Sequence, residues 1–154
     1  MKVLHLYGKK LYWEKIMARG MPPLPRYQHT MEFNGPARIL IIYGGTDDKR
    51  NVKFHPAFYS DLGILDLTHF IWLSVQVSGF TDPRCLHSSC LLNEKFIIFG
   101  GLNSKGLLNS DICYINLNNV QKINFENKGK FILRGEKHKI RHIEELIAEI
   151  QETK

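Results

Sequence analysis

Long apolar runs are missing from this chain of 154 residues. The longest, such as Ile39 to Tyr43, fall far short of the roughly 20 residues that a membrane-spanning helix requires. Lys9 and Lys10 interrupt the amino terminus before the apolar core of a secretory signal can form. Only three cysteines occur, without a C-x-x-C pair, and there is no Asn-x-Ser/Thr site. This composition fits a reducing interior, so we expect a cytoplasmic protein without a membrane partner.

Motifs of common enzymes are also missing. The chain has no G-x-x-x-x-G-K-[ST] phosphate loop, no G-x-G-x-x-G, no G-x-S-x-G and no H-E-x-x-H. Cys85, His87 and Cys90 could suggest a metal site, but on a strand residue 90 points away from the face shared by residues 85 and 87. We therefore expect no catalytic residue, cofactor or metal ion, and we expect Cys113 to fill the core.

The net charge of +6 is confined to the ends of the chain. Residues 21–127 contain nine basic and nine acidic side chains, whereas residues 1–20 carry +4 and residues 142–154 carry −3. Without interleaved aromatics or a reading motif, we expect no nucleic-acid partner. The basic stretch between residues 127 and 142 could instead steer the chain towards an acidic protein surface. Its cations are Lys128, Lys130, Arg134, Lys137, Lys139 and Arg141.

The chain does contain an internal repeat, and the position of each motif within that repeat decides how the motif is interpreted. An Arg-x-x-His unit occurs twice, 58 residues apart, and an apolar strand that ends in Gly-Gly occurs twice, 56 residues apart. An Asp-led strand and a tryptophan recur in the same order. The paired landmarks are Arg26 and His29 with Arg84 and His87, Gly44 and Gly45 with Gly100 and Gly101, Asp61 with Asp111, and Trp13 with Trp72.

Each unit divides into four short runs of β-branched and aromatic residues separated by Gly, Pro, Asn and Asp, a pattern typical of antiparallel strands. The predicted strands lie near residues 27–33, 38–43, 60–66 and 70–75, and near residues 85–91, 95–99, 111–116 and 120–125.

The Gly-Gly strand, the Asp-led strand, the tryptophan and the Arg-x-x-His unit together resemble the kelch repeat. That resemblance implies an all-β fold, a segment of a kelch-type β-propeller of four-stranded antiparallel blades. It also implies structural roles for the paired landmarks, and we expect the tryptophans to seal contacts between blades. Lys122 stands where the second unit should have a tryptophan.

The expected organisation is a half blade at residues 1–19, blades at 20–78 and 79–126, and a basic linker at 127–139. Two and a half blades cannot close a ring. The chain is therefore an excerpt of a longer protein, a segment completed by other chains, or one that packs on a partner. An amphipathic helix is predicted at 140–152, either to cap the open end or to bind a partner. Its apolar residues are Ile140, Ile143, Leu146, Ile147 and Ile150.

Strand alternation places both long connection types, before the first strand and between the second and third, at one edge of the blades. Long loops on a rigid scaffold favour recognition. We therefore expect a non-catalytic interaction scaffold in a cytoskeletal or ciliary assembly. The alternatives are a substrate-recognition module of a ubiquitin ligase and an accessory or catalytic propeller of an enzyme whose chemistry lies outside this segment. The expected protein-binding residues are Asp47, Asp48, Lys49, Arg50, Asn51, His55, Tyr59, Asn103 and Lys105.

Overall fold

The described part of the protein consists of short β-strands joined by turns. The computed structural model describes residues 2–8, 10–47, 57–73, 75–79, 82–118 and 131–139. The predicted helix at 140–152 lies outside these residues, as do residues 48–56 of the long loop.

The first blade is a four-stranded antiparallel sheet in chain order. Its strands are β3 (Thr30–Asn34), β4 (Ile39–Tyr43), β5 (Leu62–Asp66) and β6 (Ile71–Leu73). The central strand β4 is a continuous apolar run and β5 is buried throughout, as expected for strands covered on both faces. The turn from β3 to β4 follows Asn34, whose Oδ1 accepts a hydrogen bond from the Ala37 amide at 3.0 Å.

The second blade repeats this arrangement and adds one strand. Its order is β9 (Ser88–Leu92), β10 (Lys95–Phe99), β12 (Asp111–Asn116) and β13 (Phe131–Lys139), followed at the outer edge by β7 (Val75–Ser78). β7 runs parallel to β13, whereas the other neighbours are antiparallel. The chain that leaves the first blade therefore crosses the outer edge of the second before it enters that blade.

The predicted linker is wrong for residues 131–139, because they form the fourth strand of the second blade. The strand expected at 120–125, together with Lys122, lies outside the described residues. Gly135 faces Ile115 across the ladder as Trp72 faces Leu65 in the first blade, so Gly135 holds the tryptophan position. A Cβ on Gly79 would lie 2.4 Å from the Gly135 carbonyl oxygen, which explains why the crossing segment needs a glycine there.

Two small sheets complete the fold. β1 (Lys2–Tyr7) and β2 (Lys10–Lys15) form an antiparallel hairpin, and β8 (Arg84–Cys85) pairs with β11 (Leu102–Asn103). Trp13 on β2 is 66% exposed, so it does not seal a blade contact as expected. The hairpin holds only the counterparts of β5 and β6, and two strands offer too little sheet to cover an indole. Trp72 is half-buried, and its Cζ3 lies 3.5 Å from the Cβ position of Gly63.

The core lies between the two blades. Each blade has a leading face, turned towards later residues, and a trailing face, turned towards earlier ones. The first-blade leading face packs against the second-blade trailing face and buries both. The former contributes Ile39, Ile41, Tyr43, Leu62 and Ile64, and the latter contributes Phe96, Ile98, Cys113 and Ile115.

Candidate protein-interaction face

The long connections lie at one edge of both blades. In the first blade Thr30 pairs with Tyr43, so the segment that leads into β3 and the loop that leaves β4 meet at this edge. Ser88 pairs with Phe99 in the same way in the second blade. The opposite edge carries the short turns after Asn34 and Leu92. We call the first edge the loop face.

An arginine clasp closes the base of the loop face in the first blade. The Arg26 guanidinium donates hydrogen bonds to both carboxylate oxygens of Asp61, at 2.6 and 2.8 Å. It also donates to the Gly44 carbonyl at 3.0 Å, and its Cζ lies 4.1 Å from the centroid of the Tyr59 ring. One side chain therefore fixes the start of β5, the end of β4 and the end of the long loop.

The second blade has the same clasp, but more deeply buried. Arg84 donates to both oxygens of Asp111, each at 3.0 Å, and to the Gly100 carbonyl at 2.9 Å. Lys137 on β13 adds a second cation, 3.1 Å from Asp111 Oδ2, and it also pairs with Asp82. Burial alone would raise the pKa of Asp111, but the hydrogen bonds from Arg84 and Lys137 hold it below its usual value.

Lys137 is one of the six cations expected to steer the chain towards an acidic partner. Its pairing with Asp82 and Asp111 gives it a structural task instead. Arg134 is well exposed and lies 3.3 Å from Glu136, so it keeps most of its contact with solvent. Lys128, Lys130 and Arg141 lie outside the described residues.

The repeated histidines take part in blade packing. His87 is buried between the blades: its Nε2 lies 2.8 Å from the Thr30 hydroxyl, and its ring meets the Tyr43 ring edge-on at 5.5 Å. Burial, assisted by the nearby Arg84 charge, lowers the pKa of His87 to about 4. A Cβ on Gly101 would lie 2.9 Å from the His87 Cβ, and Gly45 has the same relation to His29.

Two residues that we expected in the recognition site instead hold the long loop in place. Asp47 is buried, accepts a hydrogen bond from the Ala57 amide at 2.9 Å and accepts another from the Tyr59 hydroxyl at 2.9 Å. Burial and the Asp47 bond both raise the pKa of Tyr59. Asp48, Lys49, Arg50, Asn51 and His55 lie outside the described residues.

In the shorter loop of the second blade, a predicted binding residue also holds its own loop in place. Asn103 Oδ1 accepts hydrogen bonds from the amides of Lys105 and Leu107, at 2.9 and 3.0 Å, and so shapes its own turn. Lys105 is exposed, and its role in binding stays a prediction. Among the predicted binding residues that the structure describes, Lys105 alone is exposed.

Sequence reasoning missed a set of apolar side chains on this face. Leu108 is 83% exposed, and Leu107 beside it is also exposed. The segment that enters β9 exposes Leu86, whose amide donates to the Gln28 carbonyl at 3.1 Å. The only sequence signal was the presence of leucines in loops rich in Gly and Asn. We call this set the loop-face apolar residues: Met21, Leu24, Leu86, Leu107 and Leu108.

No candidate catalytic or metal centre emerges in the part of the chain that the structure describes. Those residues include no group of three His, Cys, Asp or Glu side chains placed to hold a metal ion. Cys85 and His87 are buried, whereas Cys90 is exposed on the other side of the sheet. Burial raises the pKa of the Cys113 thiol to about 12. Within the same residues, no helix has the length and hydropathy needed to cross a membrane.

Comparison with known proteins identifies the same kind of repeat as the sequence motifs. Residues 2–146 match the KLHDC2/KLHL20/DRC7 Kelch-repeats domain. The host cell factor homolog hcf-1 of Caenorhabditis elegans is 32% identical over 102 residues, which is 64% of this chain and 13% of that protein. The flagellar outer arm dynein alpha chain of Chlamydomonas reinhardtii is 27% identical over 119 residues, 77% of this chain and 2% of that one. The chain thus spans a small part of these relatives.

The fold has a counterpart among solved structures. YjhT aligns with a TM-score of 0.61 at 16% identity, over 78% of this chain and 42% of that one. At this identity the likeness concerns the fold alone, and it agrees with the arrangement of adjacent four-stranded blades described above.

Proposed function

Because the chain belongs to the kelch-repeat domain family, we propose that it is a non-catalytic propeller module that binds another protein through its loop face. The observation that carries this proposal is the exposure of the loop-face apolar residues on loops whose bases are fixed by buried contacts. Exposed apolar side chains grouped on a rigid scaffold are typical of protein-binding surfaces.

The Arg84 clasp supports the proposal by giving these loops a defined geometry. The Gly45 amide donates to the Arg84 carbonyl at 2.8 Å, and the Arg84 amide donates to the Tyr59 carbonyl at 3.1 Å. The loops of the two blades are therefore joined by backbone hydrogen bonds. A partner that meets fixed loops loses less conformational entropy on binding than one that must order them.

The chemistry of the face suggests the kind of partner. The exposed leucine and methionine side chains favour an apolar patch on the partner, and exposed Lys105 favours an acidic group there. We propose a folded protein surface with these two features. Buried Asp47 has its own partners and contributes indirectly, by holding Tyr59.

The test compares one substitution on each edge of the blades. Leu108→Asp places a charge on the loop face, and Phe33→Asp places the same charge at an exposed site near the short turns. Tagged chains are expressed in cells of the source organism, and co-purifying proteins are quantified by mass spectrometry. We expect Leu108→Asp to lose stoichiometric partners that Phe33→Asp retains. Retention of every partner by Leu108→Asp would refute the role of the loop face.

The finer assignment concerns the assembly. We propose a cytoskeletal or ciliary setting, supported by the likeness to a flagellar dynein chain. The same experiment separates the alternatives, because recovered ligase subunits would indicate a ubiquitin-ligase receptor and a recovered catalytic chain would indicate an enzyme accessory domain.

A further inference from the structure

The second-blade leading face is exposed at the end that adjoins the loop face, whereas Lys95 and Tyr114 on the same face are buried. Its cross-strand neighbours include Cys90, Ile97, Phe99 and Ile112. By the repeat, Phe99 corresponds to Tyr43 and Ile97 to Ile41. Tyr43 and Ile41 are fully buried by the second blade, whereas Phe99 is 50% exposed and Ile97 is half-buried.

The glycines at the ends of β4 and β10 show the same difference. A Cβ on Gly44 would lie 2.6 Å from the Arg84 carbonyl oxygen and 2.7 Å from His87 Cε1, because the second blade packs against it. Among the described residues, the nearest atom to a Cβ on Gly100 is the Asn109 carbonyl oxygen at 3.5 Å. The first-blade leading face is thus filled, whereas the described residues leave room for an occupant at the loop-face end of the equivalent surface of the second blade.

The last described strand ends beside this surface. β13 ends at Lys139, which pairs with Asp111, and the next residue of β12, Ile112, pairs with Phe99. The last described residue, Lys139, therefore lies beside the exposed end of the face. Three strand spacings separate β13 from β9, roughly 14 Å. A helix over residues 140–150 would be roughly 16 Å long, which suffices to cross the sheet.

The sequence of this segment suits such a site. Five apolar residues from Ile140 to Ile150 recur at helical spacing, with Glu145 and Glu149 on the opposite side of the wheel. A helix this short is marginal in water unless its apolar stripe packs against another surface. Covalent attachment beside the face gives the segment a high effective concentration there, which favours it over a second copy.

We propose that residues 140–152 form an amphipathic helix that covers the second-blade leading face. This cap would shield the surface to which a further blade would otherwise bind. The proposal does not depend on the loop-face function, because the cap would cover a sheet surface, whereas the loop-face apolar residues lie on the connecting segments.

The reactivity of Cys90 can report whether the second-blade leading face is covered. Cys90 is exposed on the second-blade leading face, whereas Cys85 and Cys113 are buried in the core. The rate at which a thiol reagent modifies Cys90 in the full chain therefore measures how well the face is covered. The number of modified thiols identifies global unfolding, since unfolding would expose all three.

Two adjacent substitutions provide the comparison. Ile147→Asp places a carboxylate in the apolar stripe, and Ala148→Asp places the same group outside it. We expect Cys90 of Ile147→Asp to react at least about tenfold faster than that of the unsubstituted chain, the factor given by about 1.4 kcal/mol of lost docking. Ala148→Asp should react like the unsubstituted chain, with one thiol modified in each case.

Equal Cys90 rates in all three chains would overturn the proposal. So would protection of Cys90 that disappears on dilution while light scattering shows a dimer dissociating, because a second copy would then be the occupant. Should Ile147→Asp expose all three thiols, the face is tested by the Cys90 rate of a chain that ends at Lys139. A rate as slow as that of the full chain would then refute the cap.

Discussion

Loss of the charge on Asp111 should destabilise the protein far more than loss of the charge on its repeat counterpart Asp61. Both carboxylates accept two hydrogen bonds from an arginine, so the pairs match in chemistry. They differ in burial: the Asp61 side chain is 51% exposed, and the Asp111 side chain is 6% exposed. Water therefore reaches the carboxylate of the Arg26 pair but not that of the Arg84 pair, while both arginine side chains are nearly fully buried.

The magnitude follows from this difference. Asp111→Asn removes the hydrogen-bonded counter-charge of buried Arg84, which leaves only the more distant Asp82 carboxylate at 3.8 Å, and it removes one of the two carboxylates that Lys137 contacts. Breaking a buried pair from one side costs about 3 to 5 kcal/mol of unfolding free energy. Asp61→Asn should cost about 1 kcal/mol or less, as for partly exposed ion pairs.

Urea unfolding of the two variants at neutral pH, followed by tryptophan fluorescence, measures the difference. A double variant, Arg84→Met with Asp111→Leu, should recover part of the loss because it leaves no unpaired buried charge. Equal losses for Asp61→Asn and Asp111→Asn would refute the reasoning, since burial would then not decide the strength of the clasp.

Three further outcomes are expected. Because the pKa of His87 falls from 6.5 to about 4 on folding, its contribution to stability is complete above pH 6.5 and declines towards pH 4. Its full size is about 3 kcal/mol, and His87→Gln should flatten urea stability over that pH range. Gly44→Ala should lower the melting temperature more than Gly100→Ala, since both have positive φ but only Gly44 meets the next blade. Lys137→Met should destabilise the chain by less than Asp111→Asn, because Lys137 is partly exposed, and equal urea midpoints would contradict this.

The sequence predicted the parts of the fold that repeat. Two copies of the Gly-Gly strand and the Asp-led strand gave the positions of β4, β5, β10 and β12 to within two residues. Periodicity works there because both copies meet the same environment, a sheet covered on two faces. The family and the all-β class followed from the same motifs.

The fourth strand of the second blade could not be predicted in this way. In the first blade Trp72 marks that strand, but its counterpart is Gly135 in a segment rich in lysine and arginine. Such composition indicates a solvated linker unless the carboxylates that pair with it are known. Asp82 and Asp111 lie 55 and 26 residues before Lys137, and only the fold brings them together.

The edge of the blades that carries the long loops was predicted, but the side chains that are exposed there were not. Strand alternation gave the loop face, because the edge at which a connection emerges depends on strand direction alone. Which loop side chains point outwards depends on local hydrogen bonds, such as the one that the Tyr59 hydroxyl donates to Asp47 and those within the Asn103 turn. These bonds occupy polar residues that a sequence pattern would assign to binding, and they leave leucines exposed.

The parallel pairing of β7 with β13 bears on how the protein acquires its structure during synthesis. Val75 pairs with Phe131, so the outer edge of the second blade joins residues 56 positions apart. Contacts this distant in sequence form slowly, and a ribosome adds residues at roughly 5 to 20 per second. A nascent chain that has reached β12 must therefore wait seconds with β7 unpaired and an open sheet edge. Chaperones that bind exposed strands would find their target in that interval.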